Sequence, residues 1–170
     1  MPTLIAFAGL PGTGKTTIVR ELARRIGAVY LRIDTIEQAL RTSRPFAGEI
    51  EDAGYRAAIA LAEDNLAQGL DVVTDAVNPL AITRDAFAAA ASLTGAKLLE
   101  VELICSDKAE HRRRIETRSA DIEGHKLPTW TDVTAREVEP WNREHLVIDT
   151  AAHNAHGAVA LIREALQKQQ

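Results

Sequence analysis

The sequence predicts an α/β fold, a parallel sheet held between two layers of helices, and two observations carry that expectation. Short apolar runs alternate with helical patterns along all 170 residues, as βα units require when they build a parallel sheet covered on both faces. One junction between such a run and a helical pattern is the glycine-rich stretch Gly9-Leu10-Pro11-Gly12-Thr13-Gly14-Lys15-Thr16. It marks the end of the sheet where ligands of such folds bind.

Taken in order, Thr3-Leu4-Ile5-Ala6-Phe7-Ala8 is a first strand, and a helical pattern covers 16–26. A second strand spans 28–33 and a short helical piece 35–40, followed by a loop over 41–48 rich in Thr, Ser, Arg, Pro and Gly. A long helix over about 52–68 places Ala57, Leu61 and Ala62 on one face and ends at Gly69. Residues 71–74 form the third strand. Asn78-Pro79 starts the next helix, with Asn as cap and Pro at the first helical position, and that helix runs to about Leu93. The fourth strand spans 97–105. Asp107 caps a charged helix reaching Arg118, with Glu110 in capping-box position. Residues 119–130 have little periodicity and read as a mobile loop. A short helix over 132–138, a strand over 145–148 and a terminal helix over 154–167 complete the chain. No internal repeat is present. The chain reads as one domain over 1–170, with an insert at about 107–140 as its lid.

The glycine-rich stretch matches the phosphate-binding pattern G-x-x-x-x-G-K-[ST] at every required position. Gly9, Gly12 and Gly14 permit backbone angles that turn successive N–H groups inward around an anion, and the following helix adds its positive end. Pro11, Thr13 and Thr17 belong to the same nucleotide-binding stretch. Lys15 is expected to reach the β- and γ-phosphates, and the Thr16 hydroxyl to sit on Mg²⁺. The chain is thereby expected to bind a nucleoside triphosphate.

Composition limits the alternatives. The hydrophobic share is 46% and the aromatic share only 4%, so aliphatic side chains must fill the core. A net charge of −4 gives no support for binding to a nucleic-acid backbone. The lone Cys105 ends an apolar strand and reads as a buried structural thiol. No apolar stretch is long enough to span a bilayer, and Met1-Pro2-Thr3 lacks the charge pattern of a signal peptide. A reducing cytoplasm fits these features.

Two acids fall at strand ends, Asp34 after the second and Asp75 after the third. Such acids orient an attacking hydroxyl or hold a metal's water shell; the competing role is capping the next helix or closing a turn. Arg112, Arg113, Arg114 and Arg118 lie on the charged helix, Arg114 and Arg118 sharing a face. An arginine on a closing lid stabilises phosphoryl transfer, whereas a solvated face paired with Glu110 and Glu116 is the simpler alternative. Arg41, Arg44 and Arg84 could line an acceptor pocket, though exposure explains them as well. His153 and His156 read as surface residues. Asp121-Ile122-Glu123-Gly124 spells a D-x-x-G without the N-K-x-D partner a GTP switch needs, and no such switch is assigned. Trp130 and Trp141 flank the short lid helix and read as its anchors.

Together these residues resemble the P-loop small-molecule kinases: gluconate kinase, chloramphenicol phosphotransferase, adenylylsulfate kinase and the zeta-toxin type. The resemblance implies a three-layer P-loop NTPase fold with five parallel strands in the order 2-3-1-4-5 and a helical lid. It implies that Asp34 takes the acceptor proton, that Asp75 is the Walker-B-like acid, and that Arg114 packs on adenine while Arg118 faces the phosphates. Residues 41–52 and 119–130 match no acceptor-binding motif of the family. The expected activity is ATP- and Mg²⁺-dependent transfer of the γ-phosphoryl group to a hydroxyl of a small metabolite, sugar acid or antibiotic. A regulatory ATPase module and a polynucleotide-end kinase are the alternatives.

Overall fold

The computed structural model describes residues 1–43 and 51–169. Five strands, β1 (Thr3–Ala8), β2 (Val29–Arg32), β3 (Val72–Asp75), β4 (Lys97–Ile104) and β5 (Leu146–Asp149), form one sheet in the order β2-β3-β1-β4-β5. Every neighbouring pair is parallel. The helices are α1 (Lys15–Ile26), α2 (Ile33–Thr42), α3 (Ala53–Ala67), α4 (Ala81–Leu93), α5 (Lys108–Thr117), α6 (Trp130–Thr134) and α7 (Ala155–Lys168).

Alternation along central β1 divides the core between the two faces. Ile5 and Phe7 pack with Ile18, Val19 and Leu22 of α1 and with Val159 and Ile162 of α7. Leu4 and Ala6 point the other way, toward Ala58, Ala62 and Leu66 of α3 and Phe87 and Ala91 of α4. Each fully buried Leu, Ile or Phe contributes about 1.5–3 kcal/mol. Small residues substitute for scarce aromatics: α3 turns Gly54, Ala58, Ala62 and Leu66 inward. Leu61, read from sequence as part of that face, is instead exposed.

Several boundaries differ from expectation for identifiable reasons. The β2 ladder ends where Arg32 pairs with Asp75, and Ile33 begins α2 with its side chain in the core. Asp34 therefore lies in the first turn of α2, not before the helix, and α2 continues through Arg41 and Thr42. Arg44 and the rest of the expected 41–48 loop, apart from Ser43, lie outside the described residues. Asn78 does not cap α4. Its backbone is left-handed at φ 48°, its N–H is taken by the Tyr55 hydroxyl, and the first N–H of α4, on Ala81, is met by the Glu139 carboxylate at 2.6 Å. Asp107 does cap α5, accepting from the N–H groups of Ala109 and Glu110. Glu110, however, turns to Arg113 and Arg114 instead of closing a capping box.

Helix α5 ends at Thr117 and the chain becomes extended at Arg118, so Arg114 and Arg118 do not share a continuous helix face. The short helix begins at Trp130, not 132, because Thr129 and Asp132 form a reciprocal capping box there. Cys105 is half-buried just beyond β4 and donates to the Asp107 carbonyl, so it is not a core thiol. Among the described residues, no helix is long and apolar enough to cross a membrane.

Candidate active site

The carboxyl ends of β1, β2 and β3 open into a cleft of about 1000 Å³, roofed by the β4–β5 connection that carries α5 and α6. At its base the glycine-rich loop leaves β1. Gly9, Gly12 and Gly14 have φ of 136°, 84° and 85°, which side chains rarely adopt. At Gly12 an added Cβ would also press on Ile115 of α5 at 2.6 Å. Gly14 is the N-cap of α1, and no side chain satisfies that helix start. Its free N–H groups and positive end remain available to an anion.

Lys15 is buried and donates to the Leu10 carbonyl of its own loop at 2.9 Å. Burial pulls its ammonium down to about 8, and the nearby Asp75 and Asp34 offset this only in part. The Thr13 hydroxyl also donates to Leu10 O, at 2.9 Å. Pro11, Thr16 and Thr17 line the cleft. His111 of α5 is buried and its Nε2 donates to the Pro11 carbonyl at 2.7 Å, which assigns the proton to that nitrogen. The His111 ring also meets Trp130 edge-on at 5.2 Å. Loop, α5 and α6 are thus joined through one imidazole.

Asp75 ends β3, is 4% exposed, and accepts from the Tyr30 hydroxyl at 2.9 Å. Burial and that neighbouring carboxylate push the Tyr30 phenol well above its ordinary value, so it stays a donor. Asp34 faces the cleft, half-exposed, and stands 3.7 Å from Arg32 Nη2. Asp34 accepts no hydrogen bond among the described residues. Arg118 also lines the cleft, and its Nε is buried without a partner among those residues. Burial lowers its guanidinium, Asp34 opposes that, and Arg32 adds to it.

Arg114 reaches the cleft wall but is already committed. It donates to Glu110 and to the Thr150 hydroxyl and carbonyl, bracing α5 against the turn after β5. Arg113 and Arg114 together hold the Glu110 carboxyl at about 2. Arg112 pairs with Glu116 at the surface, as the simpler reading of that helix has it.

The other candidates divide. Arg41 lines the cleft, paired with Glu37. Arg84 does neither of the things expected of it: it is buried, caps the carbonyls of Pro79, Glu139 and Pro140, and lies over the Trp141 ring. Trp141 stacks on His145 beneath Arg84, whereas Trp130 meets His111 of α5. Asp121 is no switch residue. Arg32 and Arg20 hold its carboxyl at about 2.

Sequence reasoning missed Arg32, Tyr30, Tyr55 and Arg136, all but Tyr30 lining the cleft. Arg32 carried a signal, a charge inside an otherwise apolar strand at its carboxyl end. Tyr30 stood inside an expected strand and Tyr55 inside an expected helix with nothing local to single them out, and Arg136 sat in the expected short helix over 132–138.

Thr16 and Asp75 place two side-chain oxygens along the cleft that holds the phosphate loop. Mg²⁺ typically takes one or two protein oxygens together with phosphates and water, so the donor set fits it. No cluster of three or more metal-ligating side chains occurs among the described residues.

A family model described as AAA domain matches residues 4–141. No curated protein sequence matches the chain. Among solved structures, the APS kinase of Mycobacterium tuberculosis in complex with AMPPNP and APS superposes with a TM-score of 0.71 at 18% identity, covering 98% of each chain. A sugar kinase from Janibacter sp. HTCC2649 gives 0.67 at 18% identity over 98% of this chain and 94% of that one. A gluconokinase from Sinorhizobium meliloti 1021 gives 0.62 at 21% identity over 99% and 98%. At such identities the shared property is the fold.

Proposed function

The chain belongs to the AAA domain family, and from that premise we propose that it is an ATP-dependent kinase acting on a hydroxyl of a small molecule. One observation carries the reading furthest. The cleft that begins at an uncapped phosphate loop also presents Asp34, a carboxylate lacking a hydrogen-bond donor among the described residues. A nucleotide switch has no need of such a group, whereas a hydroxyl acceptor does. The kinases and the bound AMPPNP of the similar structures support the same reading.

Lys15 exchanges the Leu10 carbonyl for phosphate oxygens, while the loop amides and the start of α1 hold the same charge. Thr16 and Asp75 would hold Mg²⁺, which supplies neutralisation of the β- and γ-phosphate oxygens. The acceptor oxygen forms a bond to the γ-phosphorus as the bond to the bridging oxygen breaks, ADP leaves, and the acceptor proton passes to Asp34. Arg118 supports the charge that spreads over the equatorial oxygens. Arg114 holds the wall beside the nucleotide.

ADP release from Mg-ATP, measured against pools of sugar acids, nucleosides, aminoglycosides, phenicols and nucleotide sugars, tests this, with Lys15→Ala as the blank. Stimulation by one pool, absent in the variant, is the expected result. ATP loss without any phosphorylated product would instead identify a regulatory ATPase. Salt-sensitive binding of a short oligonucleotide would favour a polynucleotide acceptor.

A further inference from the structure

Arg32 is a buried guanidinium to which the phosphoryl-transfer roles proposed above give no part. It ends β2 with its side chain in the cleft beside Asp34, and it is only 8% exposed. Nη1 and Nη2 donate to the two oxygens of Asp121 at 2.8 and 3.0 Å, a two-pronged grip on a carboxylate. Asp34 and Asp75 stand farther off, at 3.7 and 3.8 Å, and Arg32 Nε has no hydrogen-bond partner among the described residues. A buried guanidinium at the floor of a cleft is unfavourable unless an anion meets it.

The two halves of this pair are built differently. Arg32 is fixed in the sheet, whereas the Asp121 side chain is 44% exposed and belongs to the irregular stretch between α5 and α6. That stretch rests on α2 through Gln38, which donates to the Glu123 carbonyl. Gly124 is left-handed there and approaches Gln38 so closely that a Cβ would meet its Nε2 at 3.0 Å. The other cation on Asp121 is Arg20, itself half-exposed.

Among the described residues, charge at this end of the cleft is unbalanced. Lys126 and Arg136 line it without an ion pair among the described residues. Of the acids, Glu37 is held by Arg41, and Asp132 is occupied by the capping box of α6. Arg136 acts electrostatically on both Lys15 and Tyr55, so its field extends across the acceptor end.

We propose that the phosphate acceptor is an anion, a hydroxylated molecule bearing a carboxylate or a phosphate, and that Arg32 receives this group in exchange for the Asp121 carboxylate. The proposal rests on the kinase reading above and names its substrate class. Asp121 is then a tethered stand-in for the acceptor's own charge. Arg32 is a specificity-determining residue, placing the acceptor beside Asp34 while standing between the two negative charges.

The first test titrates inorganic sulfate into the protein loaded with Mg-AMPPNP, so that the phosphate loop is already filled. Asp121→Asn should bind sulfate at least about tenfold tighter than the wild type, since an exchanging carboxylate has been removed. Arg32→Gln combined with Asp121→Asn should lose that gain, and Arg32→Lys with Asp121→Asn should keep only part of it. Equal affinity in wild type and Asp121→Asn overturns the proposal, and that comparison leaves Arg32 in place if its replacement fails to fold. The second test measures kcat/KM for matched acceptors: D-glucose, D-gluconate, D-glucose 6-phosphate and D-glucosamine, with the corresponding glycerol series. The gluconate and 6-phosphate arms separate carboxylate from phosphate recognition. A neutral or cationic compound preferred over its anionic counterparts overturns this inference and leaves the kinase standing. No stimulation by any compound overturns both.

Discussion

Lys15 carries its charge where burial disfavours it, near pH 8 in the free protein. Phosphates bound beside it restore the ordinary range, so nucleotide binding takes up a proton. As pH rises through 8 the free site loses its proton and the complex keeps it, and ATP affinity must fall. Calorimetry at pH 8 in buffers of different ionisation heat should register an uptake of about half a proton, absent in Lys15→Ala. Without nucleotide the same shift opposes folding. Folded and unfolded chains both hold the proton below pH 8, so the destabilisation is fully present there, and it is relieved as pH rises toward the ordinary lysine value of 10.5. Asp34 makes a different prediction. Asp34→Asn removes the proton acceptor but no ATP contact, so kcat should fall by about a hundredfold or more while the KM for ATP stays put. Full activity in that variant would remove Asp34 from the chemistry.

Among the elements, α5 couples the nucleotide loop to the roof of the cleft. Its His111 holds the Pro11 carbonyl and packs on Trp130 of α6. His111→Ala should destabilise the fold by about 1–3 kcal/mol through a buried carbonyl left unpaired. It should also raise the KM for ATP, which urea unfolding and steady-state kinetics check separately. The elements also explain which helix starts were legible. Asp107 caps α5 within three residues, a local act that sequence displays. The start of α4 is satisfied by Glu139 from 58 positions away, and no local pattern announces that. Asn78-Pro79 looked like a cap because both residue types favour one, yet tertiary contacts turned Asn78 left-handed and put its N–H on Tyr55.

At the scale of the whole molecule, the loop, the roof and the sheet form one binding unit, so nucleotide should stabilise all of it. At a hundredfold excess over Kd, Mg-ATP adds about 2.7 kcal/mol, a rise in Tm of roughly 5–10 °C for a chain this long. Lys15→Ala should lose most of that rise. The parallel sheet was legible because βα alternation leaves few other arrangements. The phosphate loop, Asp34 and Asp75 were legible because strand ends converge on one edge. Arg32 and Tyr30 were not, since their importance comes from Asp121 and Asp75, partners far away in sequence.

Both roots of the β4–β5 connection are pinned to the body. At one end Arg114 braces α5 on Thr150, and at the other Arg84 locks the carbonyls of Glu139 and Pro140. Between α5 and α6 the chain has no regular secondary structure and meets the body through a few side chains such as Asp121. That makes the stretch a cassette. On the kinase reading, replacing residues 119–129 with Arg118 kept would change which acceptor the cleft takes and leave the phosphate loop and its partners in place.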